Sequence, residues 1–377
     1  MREPVAVYVH IPFCHKKCGY CDFSSFAING PIVDRTVDAI VRQVHGSPFA
    51  GRPAKTVFFG GGTPNFLSSA QLARILSAVL CCHPPQGDIE ITTEANPGAS
   101  NAFAELREAG FNRLSLGVQS FLDADLQRLG RIHTAKHARE AVSLARRAGF
   151  DNLSLDLMYG LPGQNLQGWM RNLEECAELA PEHLSLYCLT IEEGTPFALL
   201  ARQGRLDLPD EDAQITMDEL SDVLLAGAGL ERYEISNFAK PGRECRHNLC
   251  YWRGEDYLAY GPGGVGCVDA ISFAEASPKA VKVRYSNLKN PYDFCTSVEA
   301  GETGWIVTEE LDESTLRVER VMLGLRLREG VPEQVCPEQR IDNLVRKAWG
   351  LRDGGRVSLT PMGRRFCNDA ALELAFP

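Results

Sequence analysis

Cys14, Cys18 and Cys21 stand close together in the stretch HIPFCHKKCGYCDF, directly behind the β-branched run VAVYV. A thiolate is a soft ligand that suits zinc and iron–sulfur clusters. A structural zinc site takes four ligands, usually as two separated pairs. Here the spacing is C-x3-C-x2-C with no matching second pair, so zinc would have to recruit His10 or His15. A 4Fe-4S cubane has four irons to ligate. Three cysteines would hold three of them and leave the last iron open to a chelating molecule with an amine and a carboxylate. Spacing alone leaves both readings open. Of the other cysteines, Cys81, Cys82, Cys176, Cys188, Cys267, Cys295 and Cys367 lie in apolar patterns and read as small core residues.

Five further groups of ligand-type residues recur at one kind of place. GGGTP follows the run KTVFFG, Glu94 ends DIEITTEA and Gln119 ends RLSLGVQ. Asp156 lies within NLSLDLMYG, and Tyr187 and Thr190 end HLSLYCLT. With the first run, VAVYVHI, these are six strand candidates, at 5–11, 55–60, 88–95, 113–119, 152–160 and 183–190. Amphipathic segments lie between them: SSAQLARILSAVL with Ser68 or Ser69 as its cap, NAFAELREAG ending on Gly110, and TAKHAREAVSLARRAG ending on Gly149. Strand then helix, repeated, predicts parallel strands joined by right-handed crossovers. Ligands of such sheets and barrels bind at the carboxyl ends of the strands, so these residues read as one mouth lined from every strand.

After residue 230 the alternation gives way to a stretch rich in glycine, aromatics and charge, YEISNFAKPGRECRHNLCYWRGEDYLAYGPGGVG. From about 312 a helical stretch begins a compact tail that ends in a second helix pattern and the hairpin-like GLRDGGRVSLTPMGRRF. The boundaries expected are a barrel over 1–232, a connecting segment over 233–305 and a winged-helix-like unit over 306–377. Of 377 residues, 44% are apolar and 23% charged, ordinary for a folded protein of the cytoplasm. Asp and Glu outnumber Lys and Arg by 49 to 39, a net charge of −10, and no basic block offsets it. That balance argues against a nucleic-acid partner. The start, MREPVAVYVHIPFC, has no signal-peptide pattern, and no run approaches the length of a membrane span.

The C-x3-C-x2-C spacing behind the first strand resembles the signature of the radical S-adenosylmethionine (SAM) superfamily. The resemblance implies a partial (β/α)6 barrel in which Cys14, Cys18 and Cys21 hold a 4Fe-4S cluster. In proteins of that superfamily SAM chelates the open iron and is cleaved on reduction to a 5′-deoxyadenosyl radical, and the resemblance implies the same here. YVHIPFCHKKCGYC, FFGGGTP, TTEANPG, LSLGVQSF, LGRIHT and LDLMYGLPGQ are similar to motifs of the oxygen-independent coproporphyrinogen III oxidase group. Carried over by motif, Tyr8 and Tyr20 would lie near SAM, and Gly61, Gly62 and Thr63 would bring backbone close to its methionyl part. Glu94 and Asp156 would accept hydrogen bonds from ribose or ammonium. Gln119 would be a neutral partner, and Arg131 would pair with a carboxylate.

Two departures separate this chain from the oxidases. They carry a further cysteine two residues after the third, where this chain has Phe23, and they have an N-terminal extension that is short here. Both place the chain with the sibling HemW heme chaperones. CRHNLCYW agrees, because His247-Asn248-x-x-Tyr251-Trp252 resembles the H-N-x-x-Y-W motif of that group. The residue types suit the task. Histidine is the usual proximal ligand of heme iron, Tyr251 and Trp252 offer flat apolar faces, and Asn248 would orient the imidazole. Arg243, Arg246 and Arg253 would pair with propionates, and Cys245 or Cys250 would offer an alternative thiolate. On composition alone the plainer reading is a hydrogen-bonded loop histidine and a tryptophan anchoring a domain interface. GPGGVG, at 261–266, lacks the Ala-His that more often ends this loop in the family.

The resemblance therefore implies a carrier of one heme per chain that serves an acceptor hemoprotein, with SAM and the cluster regulating transfer or supporting assembly. The competing expectation is oxidative decarboxylation of coproporphyrinogen III propionates. Homodimer formation and peripheral membrane docking stay open.

Overall fold

The computed structural model describes residues 3–98, 102–273 and 276–376. Six strands and their crossovers form the first half: β1 (Val5–Ile11), α1 (Pro31–His45), β2 (Ala54–Gly61), α2 (Ser69–Cys82), β3 (Pro85–Ala95), α3 (Phe103–Glu108), β4 (Arg113–Gln119), α4 (Asp123–Leu129), α5 (Ala135–Arg147), β5 (Leu153–Tyr159), α6 (Leu166–Leu179) and β6 (His183–Cys188). Each of β1 to β6 pairs in parallel with the next. Ser68 caps α2 by accepting from the Gln71 N–H, with the glutamine side chain bonded back to the Ser68 N–H. After α7 (Pro196–Arg202) and α8 (Glu211–Gly227), β7 (Glu231–Arg232) and β8 (Asn237–Ala239) extend the sheet beyond β6 in antiparallel order. The next element is α9 (Arg246–Trp252). β9 (Tyr257–Tyr260), β10 (Val265–Asp269) and β11 (Lys282–Asn287) then extend the sheet beyond β1, followed by α10 (Pro291–Glu299) and β12 (Trp305–Leu311). This twelve-stranded sheet has free edges at β12 and β7, so the barrel is partial.

Along the six parallel strands the residues alternate. Val5, Val7, Val9 and Ile11, Leu114, Leu116 and Val118, Leu153, Leu155 and Leu157, and Leu184 and Leu186 all pack into one core beneath the helices. Burying each such side chain contributes roughly 1.5–3 kcal/mol of transfer free energy. The intervening Tyr8, Arg113, Ser115, Asp156, His183, Ser185 and Tyr187 line a cavity inside the curve of the sheet. Parallel strands covered by helices on both faces read as near-continuous apolar runs. The period of two shows that the inner face here is kept for polar chemistry.

The tail is a small unit of helices and an antiparallel three-stranded sheet, the winged-helix-like arrangement. It contains α11 (Glu313–Gly324), β13 (Val331–Pro332), α12 (Glu338–Arg346), the hairpin β14 (Gly350–Asp353) and β15 (Arg356–Leu359), α13 (Pro361–Arg365) and α14 (Cys367–Ala375). Val321, Leu325, Ile341, Leu344, Val357 and Leu374 form its own core. The expected boundary at 306 falls inside β12, which pairs along β11 in the large sheet, so the helices of the small unit start only at Glu313. The expected connecting segment, 233–305, carries β8 to β11 of that sheet together with α9 and α10. Among the cysteines expected in the core, Cys81 is exposed, and Cys82 and Cys188 are only partly buried. No helix of the described residues is long and apolar enough to cross a membrane.

Candidate functional site

The carboxyl ends of the strands carry the cysteine segment. Cys14, Cys18 and Cys21 are each partly buried. Burial raises the Cys21 thiol, and Cys18 and Cys14 raise it further, so the three sulfurs share one electrostatic neighbourhood. Thr63 Oγ1 donates to Cys14 Sγ at 3.4 Å, and an Arg131 guanidinium nitrogen donates to Cys18 Sγ at 3.6 Å. Arg131 also reaches the Gly117 carbonyl at 2.8 Å and the Asn96 side chain, while Asn96 donates to Thr63 Oγ1 at 2.9 Å. Donors to cluster sulfurs are among the groups that set reduction potential. A Cβ on Gly62 would stand 2.6 Å from the Phe13 carbonyl oxygen and 3.1 Å from Cys14 Sγ, so only glycine lets backbone pass there. Gln119 holds φ at 67°, a left-handed conformation rare outside glycine and typical of functional loops.

This donor set fits a 4Fe-4S cluster. Three thiolates are soft donors of the kind such clusters take, and Thr63 and Arg131 aim hydrogen bonds at two of their sulfurs. The histidines weighed for zinc are also otherwise engaged. His10 is hydrogen-bonded to the Ser24 carbonyl at 2.8 Å and the Tyr8 hydroxyl at 3.1 Å, and His15 lies against Phe66. Tyr20 pairs with Arg131 beside Cys18 and Cys21. The GPGGVG loop packs behind this region. A Cβ on Gly261 would meet the His10 carbonyl oxygen at 2.3 Å, which gives the glycine a packing reason. Phe23 is 61% exposed.

Halfway down the barrel lie Glu94 and Asp156. Burial, with Asp156 nearby, pushes the Glu94 carboxyl up to about 8, against a hydrogen bond from the Gly61 N–H. Burial also raises Asp156, although Ser185, Ser115 and Ser154 bond to it. With Tyr8 they line an inner cavity of about 150 Å³.

The amino ends of the strands carry the other predicted group. Helix α9 lies across them like a floor. The Glu90 carboxylate of β3 accepts from the Arg246 N–H at 3.1 Å and the His247 N–H at 3.0 Å, capping the helix from outside. His247 is 1% exposed. Its Nδ1 is hydrogen-bonded to Thr56 Oγ1 at 2.8 Å and its Nε2 to the Tyr251 hydroxyl at 2.9 Å. Its ring stacks on Phe58 with centroids 5.1 Å apart. Burial, then Arg113 and Lys55, lower its imidazole to about 3, so it is neutral near pH 7. Asn248, Tyr251 and Trp252 line a cavity of about 680 Å³ between α9, the outer strands and α11. The size falls within the range of small-molecule and cofactor sites. Arg320 and Arg326 of α11 line it as well, with Arg326 over the Trp252 ring at 5.5 Å. Trp252 Nε1 is buried without a hydrogen-bond partner among the described residues. Of the arginines expected to meet propionates, Arg243, Arg246 and Arg253 instead pair with Asp151, Asp88 and Glu329. Cys245 is buried near Glu90, and burial raises its thiol to about 12.

The predicted residues thus fall into two groups, one on the cysteine segment and one on α9, that meet at the inner cavity, where Tyr8, Glu94 and Asp156 stand with His247, Asn248 and Tyr251. Sequence reasoning missed Asn96, Arg113, Ser115, His183 and Ser185, although the period-two alternation of β4, β5 and β6 marks all but Asn96. It also missed Arg320 and Arg326, which nothing local distinguishes.

Residues 8–176 match the Radical SAM superfamily. The chain is 34% identical to heme chaperone HemW of Mycobacterium tuberculosis over 374 residues, covering 96% of this chain and 92% of that one. It is 44% identical to heme chaperone HemW of Escherichia coli over 270 residues, 70% of each chain. The solved structure of coproporphyrinogen III oxidase (HemN) from Escherichia coli superposes with a TM-score of 0.81 at 22% identity, covering 98% of this chain and 90% of that one. At that identity the likeness is one of fold.

Proposed function

The chain belongs to the heme chaperone HemW family, and from that premise we propose that it binds heme at the floor of its radical SAM barrel and delivers it to an acceptor hemoprotein. The observation that carries this reading is the 680 Å³ cavity that three of the four H-N-x-x-Y-W residues line. Tyr251 and Trp252 offer aromatic faces to a porphyrin, and the unpartnered Trp252 N–H is a donor left for a ligand. Arg326, and Arg320 once released from its 3.6 Å pair with Glu313, would supply positive charge for propionates from α11. His247 is the iron ligand in this reading, and the Tyr251 hydroxyl must first release its Nε2.

At the other end, Cys14, Cys18 and Cys21 would hold the 4Fe-4S cluster, with Gly61, Gly62 and Thr63 beside the methionyl part of SAM. Tyr8, Tyr20, Glu94, Gln119, Arg131 and Asp156 would surround the rest. Such a cluster, when bound, supplies the electron for reductive SAM chemistry. In this chain that end regulates heme transfer or supports assembly.

Anaerobic titration with heme, followed by the Soret band, tests the reading. Saturation near one heme per chain is expected, weakened in His247→Ala and strengthened in Tyr251→Phe, which frees Nε2. Unsaturable binding would remove the carrier function, and binding indifferent to both substitutions would move the ligand elsewhere. With coproporphyrinogen III, SAM and a reductant, no protoporphyrinogen is expected, because Phe23 replaces the further cysteine of the oxidases.

A further inference from the structure

Arg113, the first residue of β4, is 2% exposed, and it lines the inner cavity. Its neighbours satisfy one another. Glu90 caps α9, Asp156 accepts from Ser115 at 3.1 Å, and His183 is bonded to Ser154 at 2.8 Å and to the Tyr233 hydroxyl at 2.9 Å. Arg113 Nε has no hydrogen-bond partner, and no ion pair among the described residues reaches its guanidinium. Burial works against its charge, but the nearby charges, Glu90 and Asp156 among them, outweigh it and keep the guanidinium protonated without a contact ion pair. A buried cation is ordinarily paired and hydrogen-bonded at contact distance. The residue lines a cavity of about 150 Å³, far larger than the 10–15 Å³ or so that a single water needs.

We propose that Arg113 is the anchor of a carboxylate-binding site inside the barrel, taking the acid group of a short aliphatic chain that enters past Tyr187, Asn248 and Tyr251. Those three residues line both the inner and the 680 Å³ cavity, so the two spaces adjoin. A guanidinium fork matches a planar carboxylate in charge and geometry. Ser115, Ser185 and Tyr187 add hydroxyls around it. One negative charge offsets one arginine, whereas a phosphate would bring a second charge against Asp156 and Glu90. The raised Glu94 carboxyl keeps the cavity short of negative charge at neutral pH.

The acid group has two sources: a free short-chain acid, or an acid arm of a larger molecule seated in the outer cavity. Only the second rests on the heme reading. Crystals of the wild-type protein soaked in 3-bromopropionate, with bromine located by anomalous scattering, test the site itself. Bromine in the inner cavity, with the carboxylate on Arg113, is expected. An inner cavity holding only water at saturating probe overturns the proposal. In solution, propionate binding should weaken about tenfold or more in Arg113→Met and less in Arg113→Lys, which keeps the charge without the fork. Propionate binding unchanged in the lysine variant would likewise overturn it, even if the methionine variant fails to fold. The source follows from hemin and hemin dimethyl ester. A tenfold or so preference for the diacid that Arg113→Lys reduces supports the arm, and equal affinities with bromine at Arg113 support the free acid. Failure of hemin to bind at all would count against the heme reading and leave the carboxylate site standing on the bromine result.

Discussion

The two ends of the barrel are built in opposite ways. At the carboxyl end, Cys14, Cys18, Cys21 and the GGGTP loop lie on short consecutive stretches, and backbone does much of the shaping. At the amino end the floor is a collation of Thr56, Glu90, Arg113, His183 and α9, drawn from five distant segments, of which Thr56 and Glu90 hold α9 by hydrogen bonds. The first arrangement leaves a readable spacing, because a cluster ligand set on one loop has to keep its separations. The second leaves almost none, because any residue that reaches the right point will serve. A further contrast is wetness. The carboxyl end keeps partly exposed thiols, whereas His247 and Arg113 at the floor are almost wholly buried.

The sharpest way to break the comparison is at the cysteines. Replacing any one of Cys14, Cys18 or Cys21 by Ser should lower iron in the anaerobically reconstituted protein from about four per chain toward zero. The same substitution should leave heme binding at the floor in place, since nothing at the amino end touches these sulfurs. Iron analysis and a Soret titration on one sample read both halves, and joint loss would show that the two ends are not independent.

A medium effect separates the ends by pH. Burial holds His247 down from 6.5 to about 3, so between those values the unfolded chain takes the proton and the folded one does not. Its contribution to stability is therefore lost as pH falls below 6.5, and His183 acts in the same direction. Glu94 is pushed up from 4.5 to about 8, so between those values the folded chain holds the proton and stability falls as pH rises. Asp156 adds to that slope. Urea midpoints of the cluster-free protein measured across this range should fall on both sides. His247→Gln should flatten the acid limb and Glu94→Gln the basic one. A limb that survives its substitution would assign the titration to the other buried groups shifted the same way, His10, His83, His133 and His183 on the acid side and Asp156 and Glu234 on the basic side.

The smallest effect concerns the cover over the floor. Arg326→Ala removes a cation above Trp252 and should cost about 0.5–1 kcal/mol, read as a shift in the urea midpoint. A larger loss would mean that α11 is held to α9 mainly through this pair.

Much of the fold was legible because its signals are local. The strand runs 5–11 and 113–119 coincide with β1 and β4, and Ser68 caps α2 as its position before an apolar run suggested. The boundary at 306 was not legible, because WIVTEEL carries no mark of which sheet it joins. That choice is made by pairing with β11, a segment eighteen or more residues earlier. At the site, the cysteines, Gly62 and Arg131 were legible from motifs. Arg320 and Arg326 were not, since on α11 they look like any solvated helix face.

What the sequence determined by itself is the cysteine spacing at the open end of the barrel and the repeat of strand and helix, because both depend on residues close in the chain. The tertiary structure alone decided that the H-N-x-x-Y-W helix closes the opposite end. It also decided that His247 is sealed between Thr56 and Tyr251, and that Arg113 lines the inner cavity with no ion pair among the described residues. Those outcomes depend on which side chains remain satisfied once distant strands have come together, and hydrogen-bond satisfaction is a property of the packed molecule rather than of any stretch of chain.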